Sequence, residues 1–235
     1  LIDKRESLLD VISDARKNNL KIKPNSTNPS KLGVQVFKDI SLEEIVPYID
    51  WSPFFWAWGL KGKYPQILDH PKYGEEATKL FDNVQEMIKE MIGENIVSPS
   101  AITGIFPAKR SGDDILVLNE DDRKKELTRF CFLRQQLKSE KNISYSLADF
   151  IDQEEDYIGA FAVTAGHGIS QYAKRFKESN DDYNAILVQT LGDRIAEALA
   201  EMFHHKTRVL WNIEEDEQYS KQELLDEKYQ GIRPA

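Results

Sequence analysis

An α+β fold built on an antiparallel sheet is predicted by three observations. Segments of helical and strand period follow one another without the regular strand–helix–strand rhythm of a doubly wound sheet. Two β-rich runs, 102–107 and 115–118, flank the turn-forming stretch Arg110-Ser111-Gly112-Asp113-Asp114, which is the pattern of a hairpin. One long segment, 182–211, keeps a single apolar stripe at spacings of three and four.

In chain order, Leu8, Leu9, Ile12 and Ala15 predict a short amphipathic helix over 5–18. A polar Pro/Asn/Ser linker follows at 21–31. Residues 33–37 (GVQVF) read as a strand, and Ser41 with Glu44 reads as a capping box opening a helix over 42–48. Trp51, Trp56 and Trp58, three of the four tryptophans, then crowd into residues 48–65. Such aromatic density means core, or in part the wall of a ligand pocket. Asp50 sits inside this apolar stretch. It is either a cap for the turn at Ser52-Pro53 or an acid facing a ligand.

Residues 74–92 predict an amphipathic helix stopped by Gly93. A third strand is expected over 128–133, and a helical turn over 146–151. Residues 157–163 are apolar on both faces and read as a central strand. A short helix is expected over 169–177. The 182–211 helix would be about 45 Å long at 1.5 Å per residue. Its stripe runs through Tyr183, Ile186, Leu187, Leu191, Ile195, Leu199, Met202, Phe203 and Leu210. Glu197, on the other face among Ala196, Ala198 and Ala200, is either solvated or approached closely by a ligand. Ser220 and Glu223 form a capping box for a last helix over 220–229.

The 235 residues fit one large domain or two small ones, and 40% hydrophobic content is enough for a real core. A net charge of −9 argues against nucleic acid and anionic membrane surfaces as partners. Cys131 is the single cysteine, so no disulfide framework or cysteine metal cluster forms within one chain, which suggests a reducing cytosol. No apolar run approaches the roughly 20 residues of a membrane span. Neither G-x-G-x-x-G nor a Walker-type loop occurs. His204 and His205 are adjacent rather than four apart, so no metal site is expected; they read as solvated or as dipole partners near a helix end. His70 before Pro71 reads as a turn residue, and His167 has no visible nucleophile partner. No catalytic residue is assigned.

Several long motifs occur together: YIDWSPFF with LKGKYPQIL, GIFPAKRSGDDI, FLRQQ, SLADF, DYIGAFAVT, DDYNAILVQTLGDRIAEALAEMFH and YQGIRPA. In their order and spacing, from about Gly33 to Ala235, the chain resembles the C-terminal activation domain of cobalamin-dependent methionine synthase. The resemblance implies a C-shaped single α+β domain with a twisted antiparallel sheet over residues 32–235, with 1–31 as an N-terminal helix and linker. It implies a cytoplasmic domain of a methyltransferase that binds S-adenosylmethionine. The domain presents the methyl donor when cob(II)alamin, held by a neighbouring domain, is reductively methylated with an electron from a flavodoxin-type partner. Cobalt is then the nucleophile, and the protein needs positioning rather than a general base.

By the same resemblance, Asp50 and Glu197 contact the ligand, Glu227 is a further acidic match, Arg233 grips the ligand carboxylate, and Ala235 approaches through its backbone. The family motif continues past Arg-Pro-Ala with a Gly-Tyr pair. The chain ending at Ala235 is therefore expected to bind its ligand weakly, if at all, and to be inactive alone. Two competing readings are a docking module for a corrinoid protein and a flavodoxin-like reductase with a degenerate groove, and a stand-alone S-adenosylmethionine enzyme. The lack of an acid/base or nucleophile constellation weighs against the second.

Overall fold

The structure, a computed structural model, describes residues 9–21, 27–138, 142–216 and 218–229. Five strands form the antiparallel sheet expected of this α+β chain: β1 (Gly33–Phe37), β2 (Ser100–Ser111), β3 (Asp114–Leu118), β4 (Glu126–Cys131) and β5 (Asp156–Thr164). Their order is β1-β2-β3-β4, with β5 pairing β2 off that path. The pairs β2–β3 and β3–β4 are antiparallel. The helices are α1 (Ile12–Lys17), α2 (Leu42–Ile45), α3 (Trp51–Ala57), α4 (Gly74–Gly93), α5 (Gly168–Glu178), α6 (Asp182–Leu210) and α7 (Lys221–Leu225). The chain divides into two compact units, one of Leu1–Val34, Gly104–Ala160 and Leu210–Ile213, the other of Gln35–Thr103, Phe161–Val209 and Glu214–Ala235.

In the first unit the β2–β3 hairpin is tighter than the sequence suggests. Ser111 still pairs with Asp114, which leaves only Gly112-Asp113 as the loop. Gly112 takes φ +67° at the first loop position, where glycine suits a two-residue hairpin. The expected five-residue turn is shortened because Arg110 is held on both sides. Its N–H donates to the Asp152 carbonyl (2.7 Å) and its guanidinium to Asp149 (3.0 Å).

Arg134 is the centre of a buried ionic network in this unit. Its Nη1 and Nη2 donate to Asp149 at 2.8 and 2.6 Å, its Nε to Asp113 at 2.7 Å, and Nη1 also to the Ser144 carbonyl at 2.6 Å. Asp149 also closes a capping box with Ser146 over the 3-10 turn Leu147–Phe150. A small apolar cluster of Ala108, Ile115 and Ala148 lies in the same unit.

The N-terminal expectations need correcting. Among the described residues the helix spans Ile12–Lys17, and residues 5–8, including Leu8, lie outside the described residues. Leu9 bridges antiparallel to Leu137 instead, and the Asp10 N–H donates to the Gln136 carbonyl at 2.8 Å. That tertiary pairing overrides local helix propensity. The described end of the 21–31 linker is tied down: Trp211 Nε1 donates to the Thr27 carbonyl (3.1 Å), and Ser30 Oγ to the Leu210 carbonyl (2.6 Å). Strand β4 begins two residues earlier than expected, and all six of its residues are exposed.

Strand β5 is not the central strand expected of it. Ala160, Ala162 and Thr164 are exposed, so only alternate residues face inward. Alanines make a run look apolar on both faces while covering little area.

The second unit holds the main core. Leu187, Leu191, Ile195, Leu199 and Phe203 of α6 are fully buried against residues of α2, α3 and α4, among them Ile45, Phe54, Phe55, Val84 and Met91. The stripe drifts from its expected line at the start of α6. Tyr183 and Ile186 are 43% and 51% exposed, while Ala185 and Val188 are buried. Tyr183 packs on the Trp58 ring at 5.2 Å and accepts a hydrogen bond from Asn83. Gly192 lets α6 lie close to α5, since a Cβ there would come within 2.8 Å of Ile169. The predicted helix over 42–48 is α-helical only to Ile45 and continues as a 3-10 turn, Val46–Tyr48, around Pro47. Ser41 caps it by accepting from the Glu43 N–H, not by a box with Glu44.

His204 and His205 are corrected from solvated to buried, at 8% and 3% exposure. The cause is the chain after α6, which returns over its last turns. Glu214 accepts from Arg208 Nε at 2.5 Å, and Tyr229 lies edge-on to the His204 ring at 4.7 Å. Burial holds the His205 imidazole below its usual pKa, although Glu214 at 3.6 Å pulls the other way. His70 is the turn residue expected, its Nδ1 accepting from the Lys72 and Tyr73 N–H groups.

Candidate functional site

Asp50 takes the cap role that the sequence left open to it, and it also lines a cavity. It is the N-cap of α3, and its Oδ1 accepts the Ser52 N–H at 2.9 Å. Its extended backbone (φ −77°, ψ 112°) starts a helix whose other side buries Trp51, Phe54 and Phe55. A carboxylate has lone pairs beyond the one this cap uses. Among the described residues, Oδ2 accepts nothing further. Asp50 is exposed, on the wall of a cavity of about 630 Å³ within the second unit.

Aromatic side chains form one part of that wall: Trp51, Trp56, Tyr64 and Phe81. Trp51 is fixed by edge contacts to Phe54 and Phe81 at 5.5 and 5.2 Å. Trp56 is half-exposed, with its indole N–H donating to the Gly62 carbonyl at 2.7 Å. Ser52 Oγ accepts the Tyr64 N–H at 3.1 Å, which ties the LKGKYP loop to the first turn of α3. The other part of the wall comes from α7 and the residue after it: Lys221, Gln222, Leu225 and Asp226.

Helix α7 is set by its capping box. Ser220 accepts the Glu223 N–H, and Glu223 in turn accepts from the Ser220 N–H at 3.1 Å. It ends in a Schellman motif, in which Lys228 N–H donates to the Glu223 carbonyl (3.0 Å) and Glu227 N–H to that of Leu224 (3.1 Å). Glu227 therefore occupies the left-handed position, φ +56°, where glycine is usual. Its side chain is exposed. A non-glycine residue there costs about 1 kcal/mol. Glu227→Gly is expected to raise stability by roughly 0.5–1 kcal/mol in a denaturant titration.

The predicted residues are not all brought to one wall. Asp50 lines the cavity; Glu197, exposed on α6, and Glu227 do not. Arg233 and Ala235 lie outside the described residues. Sequence reasoning missed Lys221, Gln222 and Asp226. Their signal was the capping box just ahead of YQGIRPA, which fixes a helix beside that motif. A second cavity, of about 610 Å³ beside His70, Glu75 and Asp82, contains none of the predicted residues. Among the described residues, no cluster of three His, Cys, Asp or Glu side chains could hold a metal ion, and no helix is long and apolar enough to cross a membrane.

A family model described as vitamin B12 dependent methionine synthase, activation domain, matches residues 41–235. The chain belongs to this activation-domain family. Its fold agrees with that of a solved relative, the crystal structure of the MetH reactivation domain bound to AdoHcy. The TM-score is 0.92 at 40% sequence identity, over 97% of this chain and 72% of that one. The activation-domain assignment accounts for the order of motifs from YIDWSPFF to YQGIRPA.

Proposed function

We propose that this activation domain binds S-adenosylmethionine at the Asp50 cavity and presents its methyl group to cobalamin held by a neighbouring domain of the same enzyme. The carrying observation is Asp50 itself: an anchored carboxylate with one uncommitted oxygen, facing a cavity of about 630 Å³. The relative solved with AdoHcy, the demethylated form of that donor, supports this choice of ligand.

The residues suit the group. The cavity volume is in the range of small-molecule sites. The ligand's sulfonium and ammonium favour a carboxylate, and aromatic faces such as Trp51 and Tyr64 suit both a cation and a purine. Asp50 takes the cationic end. Glu197 and Glu227 add negative potential, Arg233 holds the ligand carboxylate, and the backbone at Ala235 completes the contact. When bound, the ligand supplies an electrophilic methyl group, whose acceptor is cobalt and whose transfer depends on an electron from a flavodoxin-type reductase in the cytoplasm. The side chains named here move no proton. They bind and orient, which is sufficient where the nucleophile is already strong. This chain alone is therefore a presenting domain and turns nothing over.

The test is transfer of a labelled methyl group from S-adenosylmethionine to cobalamin in the full-length enzyme under reducing conditions. Label on the corrinoid is the expected result. Reactivation without any label would refute the reading.

A further inference from the structure

Four charged residues line the Asp50 cavity: Asp50, Asp226, Lys63 and Lys221. The two lysines differ in how they are held. Both are exposed, and Lys63 makes no hydrogen bond or ion pair through its ammonium among the described residues. Lys221 is anchored across the fold of this unit. Its ammonium donates to the Tyr48 hydroxyl and lies 3.9 Å from the centre of the Tyr48 ring. Tyr48 is buried and cannot follow a moving side chain. Among the described residues, no carboxylate lies within ion-pair distance of Lys221, although Asp226 follows in the next turn. An ammonium fixed by an aromatic ring and a phenol, without a carboxylate of its own, is prepared for an anion from solution.

We propose that Lys221 is the anion-reading residue of this cavity, taking the carboxylate of the ligand's amino-acid end while Asp50 takes its cationic part. The inference rests on the reading of the cavity as the S-adenosylmethionine site. It adds a specificity: the cavity selects a zwitterionic amino-acid group rather than any sulfonium or nucleoside. It is compatible with Arg233, since a carboxylate offers about four lone-pair sites and accepts from two cations. Lys221 binds and orients here and takes no part in bond making.

The experiment compares S-adenosylmethionine with its decarboxylated analogue by calorimetric titration of the full-length enzyme and of two variants of it, Lys221→Met and Lys221→Arg. Met keeps the aliphatic stem and removes the charge; Arg keeps the charge. Lys221→Met is expected to weaken S-adenosylmethionine binding about tenfold, the scale of one charge-assisted hydrogen bond, and to leave the analogue unchanged. Lys221→Arg is expected to retain most of the affinity. Unchanged binding of both ligands by Lys221→Met would overturn the assignment. So would an equal loss for both, which would make Lys221 a staple between α7 and Tyr48 only. Failure of the unaltered protein to bind either ligand would instead overturn the reading of the cavity itself, and this inference with it.

Discussion

Asp149→Ala is expected to cost about 3–5 kcal/mol of stability, the scale measured when one partner of a buried ion pair is removed. Asp149 accepts two hydrogen bonds from Arg134, one from Arg110 (3.0 Å) and one from the Ser146 N–H (3.0 Å). Its side chain has no exposed area, and that of Arg134 has 1%. Truncation therefore leaves a buried guanidinium with Asp113 as its one carboxylate partner beside the Ser144 carbonyl, and opens the Ser146 capping box. Urea unfolding measures the loss.

The same network sets an acid limit. Burial raises the Asp149 carboxyl, but Arg134 and the Ser146 N–H outweigh it and hold the group below the usual carboxylate range. Asp113 is held low in the same way, with Arg16 and Arg134 outweighing its burial. A folded-state pKa below the unfolded value of 3.8 gives stability that is complete above about pH 4 and is lost as pH falls through the folded value. Asp156 works in the opposite sense, because burial raises it. Unfolding between pH 7 and pH 3 is expected to show a shallower acid loss in Asp149→Ala than in the unaltered protein.

Asp50→Asn is expected to weaken S-adenosylmethionine binding about 10- to 100-fold, or about 1.5–3 kcal/mol, while leaving the fold intact. Asparagine caps a helix as well as aspartate does, so the bond to the Ser52 N–H survives and only the charge is lost. Asp50→Ala removes both and should lose about 1 kcal/mol of stability as well. Calorimetry reads the affinity and thermal unfolding reads the cap. Wild-type affinity in Asp50→Asn would make Asp50 a cap and nothing more.

What was legible in the sequence is what short-range chemistry decides. The Ser220/Glu223 box, the β2–β3 hairpin and the 29-residue helix α6 depend on neighbours within a few residues, and each appears nearly where expected. The burial of His204 and His205 was not legible, because it depends on a chain return closed by Arg208 and Glu214. Arg134 gave no sign of its network, since FLRQQ reads as polar and exposed until Asp113 and Asp149 are brought to it.

The site divides in the same way. Asp50 stood out because a carboxylate inside an aromatic stretch must be satisfied somehow. Lys221 did not, because a lysine at a helix start reads as solvated until its partner Tyr48, 173 residues away, is known.

The central claim is tested most directly by calorimetric titration of S-adenosylmethionine into the full-length enzyme and into this chain. Saturable binding of one ligand per full-length chain, lost or weakened in Asp50→Asn and weaker in this chain than in the full-length enzyme, is the predicted result. Absence of binding in both would leave the activation-domain fold with a docking role alone, and Asp50 as a helix cap.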